Sequence, residues 1–295
     1  MKKHYVGVVL AITFVLVFVV SDLRTYGSLS TSQTHQAELI EALKKACSCT
    51  EPPSPPPLRT VIAPELDPTI LPVDMSTKEN SACDPGKASA CQKCFNCFAW
   101  QLFIALNWPA ATRGEPDLTA DFGDPGNYAA VVWETFKTVD DIFNDPNLTD
   151  LLPWEQGDNT RVMSAVLNKN SRNTLQADSH WLTDQKNNLV WYEIRVNQDE
   201  YQYIAAKHLY NQDGVYDAYK KRDGIRLPDS KSEYGKYGAI EIKAAFRIVP
   251  KNELDAYKTK YKISYAKNNP SGDIVPLALV GLHIIKKTPH SPQFV

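Results

Sequence analysis

Residues 238–249 read GAIEIKAAFRIV, and the alternation in this stretch decides the fold. Successive side chains of a strand point to opposite faces, so Ile240, Ile242, Phe246 and Ile248 fall on one side. Glu241, Lys243 and Arg247 fall on the other. A strand that is apolar on one side and charged on the other belongs to an antiparallel sheet with one packed and one wetted face. Residues 189–197 (LVWYEIRVN) have the same period, with Trp191, Glu193, Arg195 and Asn197 on one face and Val190, Tyr192, Ile194 and Val196 on the opposite one. Residues 261–266 and 275–286 (VPLALVGLHIIK) supply further strands. In the latter, strict alternation places His283 with Leu279, Gly281 and Ile285.

Helical patterns lie between and before these strands. Residues 95–107 (FNCFAWQLFIALN) read as a buried helix ended by Trp108-Pro109, because proline cannot continue the hydrogen-bond ladder. Residues 127–143 (NYAAVVWETFKTVDDIF) read as a second, with Val132, Phe136, Val139 and Phe143 on one stripe. Shorter helices are expected over 200–210 and 254–260. Helices interspersed with strands through short links give an α+β class: an antiparallel sheet with flanking helices.

Upstream, Lys2, Lys3 and His4 precede an apolar run from Tyr5 to Val20. This is the pattern of an export signal. Sixteen residues at ~1.5 Å each span ~24 Å, against a hydrocarbon core of ~30 Å. Val19-Val20-Ser21 is a poor cleavage site, so we read an uncleaved signal-anchor, with a cleaved signal peptide as the alternative. The basic end stays inside by the positive-inside rule and the body is exported. That predicts the periplasmic or cell-surface side, anchored in the inner membrane by residues 5–20. Residues 22–50 follow as a short amphipathic helix. Between Glu51 and Pro72 eight residues are proline, so 51–82 reads as an extended, semi-rigid linker. Residues 83–295 then form the extracytoplasmic α+β domain.

A composition of 43% hydrophobic and 22% charged residues suits one substantial core. The net charge of −2 provides no basic footprint for nucleic acid. Membrane contact is expected through the N-terminal segment, and a protein partner stays open. The six cysteines, Cys47, Cys49, Cys83, Cys91, Cys94 and Cys97, crowd into 51 positions. In an exported chain an even count reads first as disulfides. A four-Cys zinc site is the alternative. A ferredoxin run would need Cys where Gln101 stands, and covalent haem would need His where Phe95 or Phe98 stands. No resident cofactor or metal is therefore expected.

Were the charged strands neighbours on a shared face, Glu193, Glu241, Lys243 and His283 would form an acid–base cluster, the candidate catalytic set. Arg195, Arg247 and Trp191 are the candidate ligand-binding residues beside it. A wetted sheet face carrying cross-strand ion pairs is the plainer reading of the same residues. Pro228-Asp229 followed by Glu241-Ile242-Lys243 also matches a PD…ExK pattern, in which Asp229 and Glu241 would hold a metal and Lys243 would orient water.

Four stretches in order, NCFAWQLFIALNWPA, VVWETFKTVDDIF, YGAIEIKAAFRIV and VGLHIIKKT, resemble an uncharacterised family of exported bacterial proteins. Some members of that family are labelled cytochrome c. The resemblance covers roughly residues 95–290 and implies an exported domain placed near electron-transfer partners, with no catalytic residues to carry over. This sequence has no CxxCH haem motif. It ends at Val295, where the family pattern would continue with further aromatic residues, so it reads as a shortened relative. Two functions follow as expectations. One is a membrane-tethered extracytoplasmic binding or scaffolding domain. The other is an extracytoplasmic hydrolase built on the acid–base cluster, with the nuclease as its least favoured form.

Overall fold

The computed structural model describes residues 69–73, 88–122, 130–143, 148–157, 182–221, 224–267 and 272–289. The chain divides into two units, Met1–Ser30 and Thr31–Val295, and all described residues belong to the second. The anchor, the amphipathic segment, Cys47, Cys49 and Cys83 lie outside them.

Five antiparallel strands form the main sheet: β3 (Lys137–Thr138), β4 (Val190–Val196), β5 (Ile240–Ile248), β6 (Ile263–Lys267) and β7 (Ile274–Lys286), in the order β3-β4-β5-β7-β6. A separate two-stranded ribbon joins β1 (Ala110–Thr112) to β2 (Glu115–Pro116). Among the described residues the helices are α1 (Ala88–Leu106), α2 (Val139–Phe143), α3 (Gln198–Ala206), α4 (Gln212–Lys220) and α5 (Leu254–Lys258). The α+β class and the antiparallel sheet thus stand, with β5 at the centre of the sheet.

Register explains why β5 is so regular. Trp191 lies opposite Phe246, Glu193 opposite Ala244 and Arg195 opposite Ile242. Ile240, Ile242, Ala244 and Phe246 are all buried, and with Trp191 they floor the main core. Trp133 packs over that floor, its ring 6.4 Å from that of Phe246. At ~25 cal/mol per Å², such large apolar side chains each supply ~2–3 kcal/mol of burial free energy. A smaller core on the opposite side joins Val249, Ile263 and Ala278 to Leu254 and Tyr257 of α5.

Three elements depart from the pattern read in the sequence. Residues 131–143 are not one helix. A 3-10 turn (Val132–Thr135) gives way to extended Phe136, then β3, then α2. The cause is burial on every side: Val132, Trp133, Glu134, Thr135 and Phe136 are consecutive and all buried, so this segment threads the core and cannot present one face to water. Glu134 fixes the turn by accepting from the Val131 amide at 3.1 Å, and the Ser264 hydroxyl of β6 donates to the same carboxylate. Second, Leu71 is buried in the main core although it falls within the stretch read as linker. Third, β7 carries a bulge: Ala245 pairs with Gly281 but Phe246 pairs with Leu279, leaving Val280 as the extra residue. His283 therefore shares a face with Gly281 and Ile285, while Leu279 turns to the face of Phe246.

The expected helix over 95–107 does hold. It ends where Pro109 denies the next amide, and the Asn107 side chain caps the Phe103 carbonyl at 2.8 Å while accepting from the Trp133 indole at 3.1 Å. Cys91, Cys94 and Cys97 occupy positions i, i+3 and i+6 of α1. Their side chains, and with them the disulfide expectation, lie outside the described residues.

Candidate functional site

The sheet separates the expected acid–base cluster into two parts. Glu193, Arg195 and Trp191 point into the main core, on the face of Ile242, Ala244 and Phe246. Glu241, Lys243, Arg247 and His283 point to the other face. The band of alternating charge read across neighbouring strands is therefore corrected. In an antiparallel pair the face of a residue is set by its register partner, and Glu193 pairs with Ala244 rather than with a charged residue.

On the inner face Arg195 is 2% exposed. One guanidinium nitrogen donates to Glu193 Oε1 at 2.5 Å and the other to the Phe136 carbonyl at 2.6 Å. A buried charge needs such partners, and the pair ties β4 to the strand entry at Phe136. Trp191 is core, packed opposite Phe246. Neither side chain is available to a ligand. Arg247, on the outer face, is also committed: its Nε lies 2.9 Å from Asp184 Oδ2, and its guanidinium sits 5.2 Å from the Tyr257 ring. Asp184 in turn accepts from the Asn188 side chain and from the Asn188 and Lys186 backbone amides. The Asn188 side chain first, then these amides, hold its carboxyl below the ordinary carboxylate range and close the turn before β4.

What remains on the outer face is a strip between two covers. At one end α5 lies over Ala278 and Ile263. At the other, α3 arrives through Glu200, whose carboxyl meets that of Glu241, and Tyr201, whose ring lies 5.4 Å from Lys137 Nζ. In the strip, Ile194, Lys243 and His283 form one row across three strands, and Tyr192, Ala245 and Gly281 form the next. The Lys243 ammonium lies 5.1 Å from the Tyr192 ring centre. His283 is exposed at the surface yet partly desolvated, and that desolvation together with the Lys243 charge lowers its pKa. Two nitrogen bases directly opposite one another repel when both are charged.

The Glu200–Glu241 pair was not foreseen. Asn197 is the N-cap of α3: its Oδ1 accepts from the Glu200 amide at 3.3 Å and from the Ile240 amide at 3.0 Å, and its Nδ2 donates to the Gly238 carbonyl at 2.8 Å. Asn-x-x-Glu is a capping-box pattern, in which the acidic residue normally reaches back to the cap amide. Here that amide donates to the Ile240 carbonyl of β5, so the Glu200 carboxyl is released toward Glu241. Burial, then the neighbouring Glu241 charge, pushes the Glu200 pKa well above the ordinary range, and burial also raises that of Glu241. The pair holds a proton where separate carboxyls would have lost theirs. Beside it, Asp199 Oδ2 accepts three consecutive amides, Lys236, Tyr237 and Gly238, at 2.7–2.8 Å. The N-x-D-E signature at 197–200 was the sequence signal for this junction.

The parts of the PD…ExK pattern have separate partners. Asp229 Oδ1 accepts from the Lys231 amide at 2.9 Å and the Ser232 hydroxyl at 3.0 Å within its own turn, while Glu241 faces Glu200. Among the described residues no group of three or more His, Cys, Asp or Glu is arranged to hold a metal ion. Among them, too, no helix is long and apolar enough to cross a membrane. Compared with known proteins, the chain matches no family model, no curated protein and no solved structure.

Proposed function

We propose that the protein is a membrane-tethered extracytoplasmic binding domain whose ligand presents a negatively charged group to the Lys243–His283 row. The observation that carries this reading is the imbalance of charge on the outer strip. Lys243 and His283 face each other across β5 and β7, and the nearby carboxyls are engaged elsewhere: Glu241 with Glu200, Asp184 with Arg247, and Glu193 with Arg195 behind the sheet. An anion would relieve the repulsion and raise the proton affinity of His283. Tethering rests on the basic-then-apolar N-terminus and the proline-rich stretch, and the resemblance to exported proteins suggests electron-transfer partners as neighbours. The test uses the full chain in detergent micelles, titrated with citrate and with inorganic phosphate while the His283 Hε1 signal is followed by NMR. A saturable shift that K243Q removes supports the reading. An unmoved signal, or one that moves alike in K243Q, rejects it. Membrane fractionation of cells expressing the chain checks the tether.

A second reading, an acid–base hydrolase, draws on the three expected catalytic residues that do share the outer face. Glu241 retains a proton beside Glu200, two strand positions from Lys243 and, across β7, from His283. A carboxylic acid kept protonated near an imidazole suits general acid–base work. Ester, glycoside and phosphodiester turnover lost in E241Q, with the fold kept, would favour it. The nuclease form additionally requires metal-dependent turnover lost in D229N.

A further inference from the structure

The Glu200–Glu241 contact joins the first turn of α3 to β5; the Glu200 carboxyl is shut away from water and that of Glu241 is partly so. Glu200 is 4% exposed, and its Oε2 has no hydrogen-bond partner. Glu241 is flanked across the strands by Val196 on β4 and Ile285 on β7, neither of which can answer a charge. We infer that Glu200 and Glu241 form a proton-operated latch, in which one shared proton fastens the first turn of α3 to the centre of the sheet and its loss releases that turn.

The charged groups on the surrounding elements do not compensate the pair. Lys137 on β3 donates to the Gln156 carbonyl and lies over Tyr201. Lys286 donates to the Tyr237 carbonyl at 2.5 Å, and Lys287 to the Leu227 carbonyl at 2.5 Å. Lys236 stands 3.7 Å from Glu115. Lys243 lies over Tyr192, with His283 opposite it. On α3 itself Asp199 is saturated by the 236–238 amides. The N-terminal dipole of a nine-residue helix favours an anion at Glu200, but within the first turn this is a small effect beside the loss of hydration. With the proton in place the two carboxyls attract through a hydrogen bond. Without it, two like charges meet, one of them buried.

Release of α3 would travel along its other contacts. The Tyr201 hydroxyl donates to the Leu152 carbonyl, and the Tyr201 ring lies 5.7 Å from Trp154, so the 151–157 loop is fastened through the same turn. Asp199 carries the loop at 236–238 with it.

The test is native-state hydrogen exchange of the full chain in micelles from pH 6 to 9, with α1 amides as the internal reference for intrinsic rate. In the wild type, amides of Tyr203–Ala206 should lose protection relative to α1 by up to ~tenfold per pH unit, the limit for release of one proton. E200Q and E241Q, which mimic the protonated partner, should remove that excess. Equal loss in α1 and α3, or the same excess in E200Q, overturns the latch. If the variants fold poorly, ¹³C titration of wild-type glutamate carboxyls decides: two signals must titrate above the rest, and a single ordinary population rejects the idea. Neither outcome bears on the Lys243–His283 row, so failure here leaves the binding reading to its own test.

Discussion

Arg195 and His283 stand on the two sides of one sheet, and the difference in what surrounds them determines what each can do. Arg195 is enclosed, with one carboxylate and one carbonyl in reach. Removing it would leave Glu193 buried without a counter-charge, so R195M should lower the unfolding free energy by ~3–5 kcal/mol in urea titration. Removing both charges together in E193L/R195M should return most of that loss, because two well-packed apolar side chains need no partner. His283 has the opposite problem, a neighbour of its own sign. K243Q removes the smaller of the two causes that depress its pKa, so the Hε1 titration should move upward while remaining below the ordinary histidine range, since desolvation is the larger cause. A titration that did not move would mean that the Lys243 ammonium lies elsewhere in solution. Residue types at this scale were legible in the sequence: Glu241, Lys243, Arg247 and His283 were read onto a polar face. The loss of Glu193 and Arg195 to the core was not, because alternation gives two faces to each strand but cannot say which faces of two strands coincide.

At the scale of elements, strands were read where period-2 alternation ran for five or more residues. This recovered β4, β5, β6 and β7 to within two residues at each end. β3 escaped because two residues carry no period. The helix expected over 127–143 failed because apolar spacing within a fully buried segment imitates a stripe. The Val280 bulge was invisible for a related reason: one extra residue leaves both halves of β7 alternating and shifts only their relation. The junction at Gly238 shows how closely these elements are fitted. Gly238 has φ +87°, and a Cβ there would stand 2.5 Å from the Lys287 carbonyl oxygen. G238A should therefore cost at least ~1–3 kcal/mol from backbone strain alone, read as a lowered urea midpoint with an unchanged slope. D199N keeps an oxygen toward the three amides and loses only its charge. It should cost less than G238A, and the reverse order would show that the amide cradle rather than the glycine conformation fixes the turn.

Across the whole molecule, the titrating groups oppose one another and set a window of stability. Glu200 and Glu241 have folded pKa values above their ordinary ones, so the folded state binds more protons over that range and stability falls as pH rises through it. Asp184 and Asp117 are depressed below the ordinary 3.8, so their contribution is present above that value and is lost as pH falls through the depressed one. His283, depressed below 6.5, also removes stability as pH falls below that value. The alkaline limb thus belongs to the α3 end of the sheet and the acid limb largely to the turn at Asp184 and its Arg247 partner at the other end. D184N separates the two. Its urea midpoint should lie below that of the wild type at pH 7, because Arg247 loses its counter-charge and the turn amides lose a charged acceptor, and the gap should narrow between pH 5 and 3 as the wild-type carboxylate takes up its proton. The slope from pH 7 to 9 should be unchanged, since Glu200 and Glu241 are untouched. A D184N curve that runs parallel to the wild type down to pH 3 would show that the Asp184 carboxyl titrates alike in the folded and unfolded chain, and the acid limb would then have to arise at Asp117 and His283.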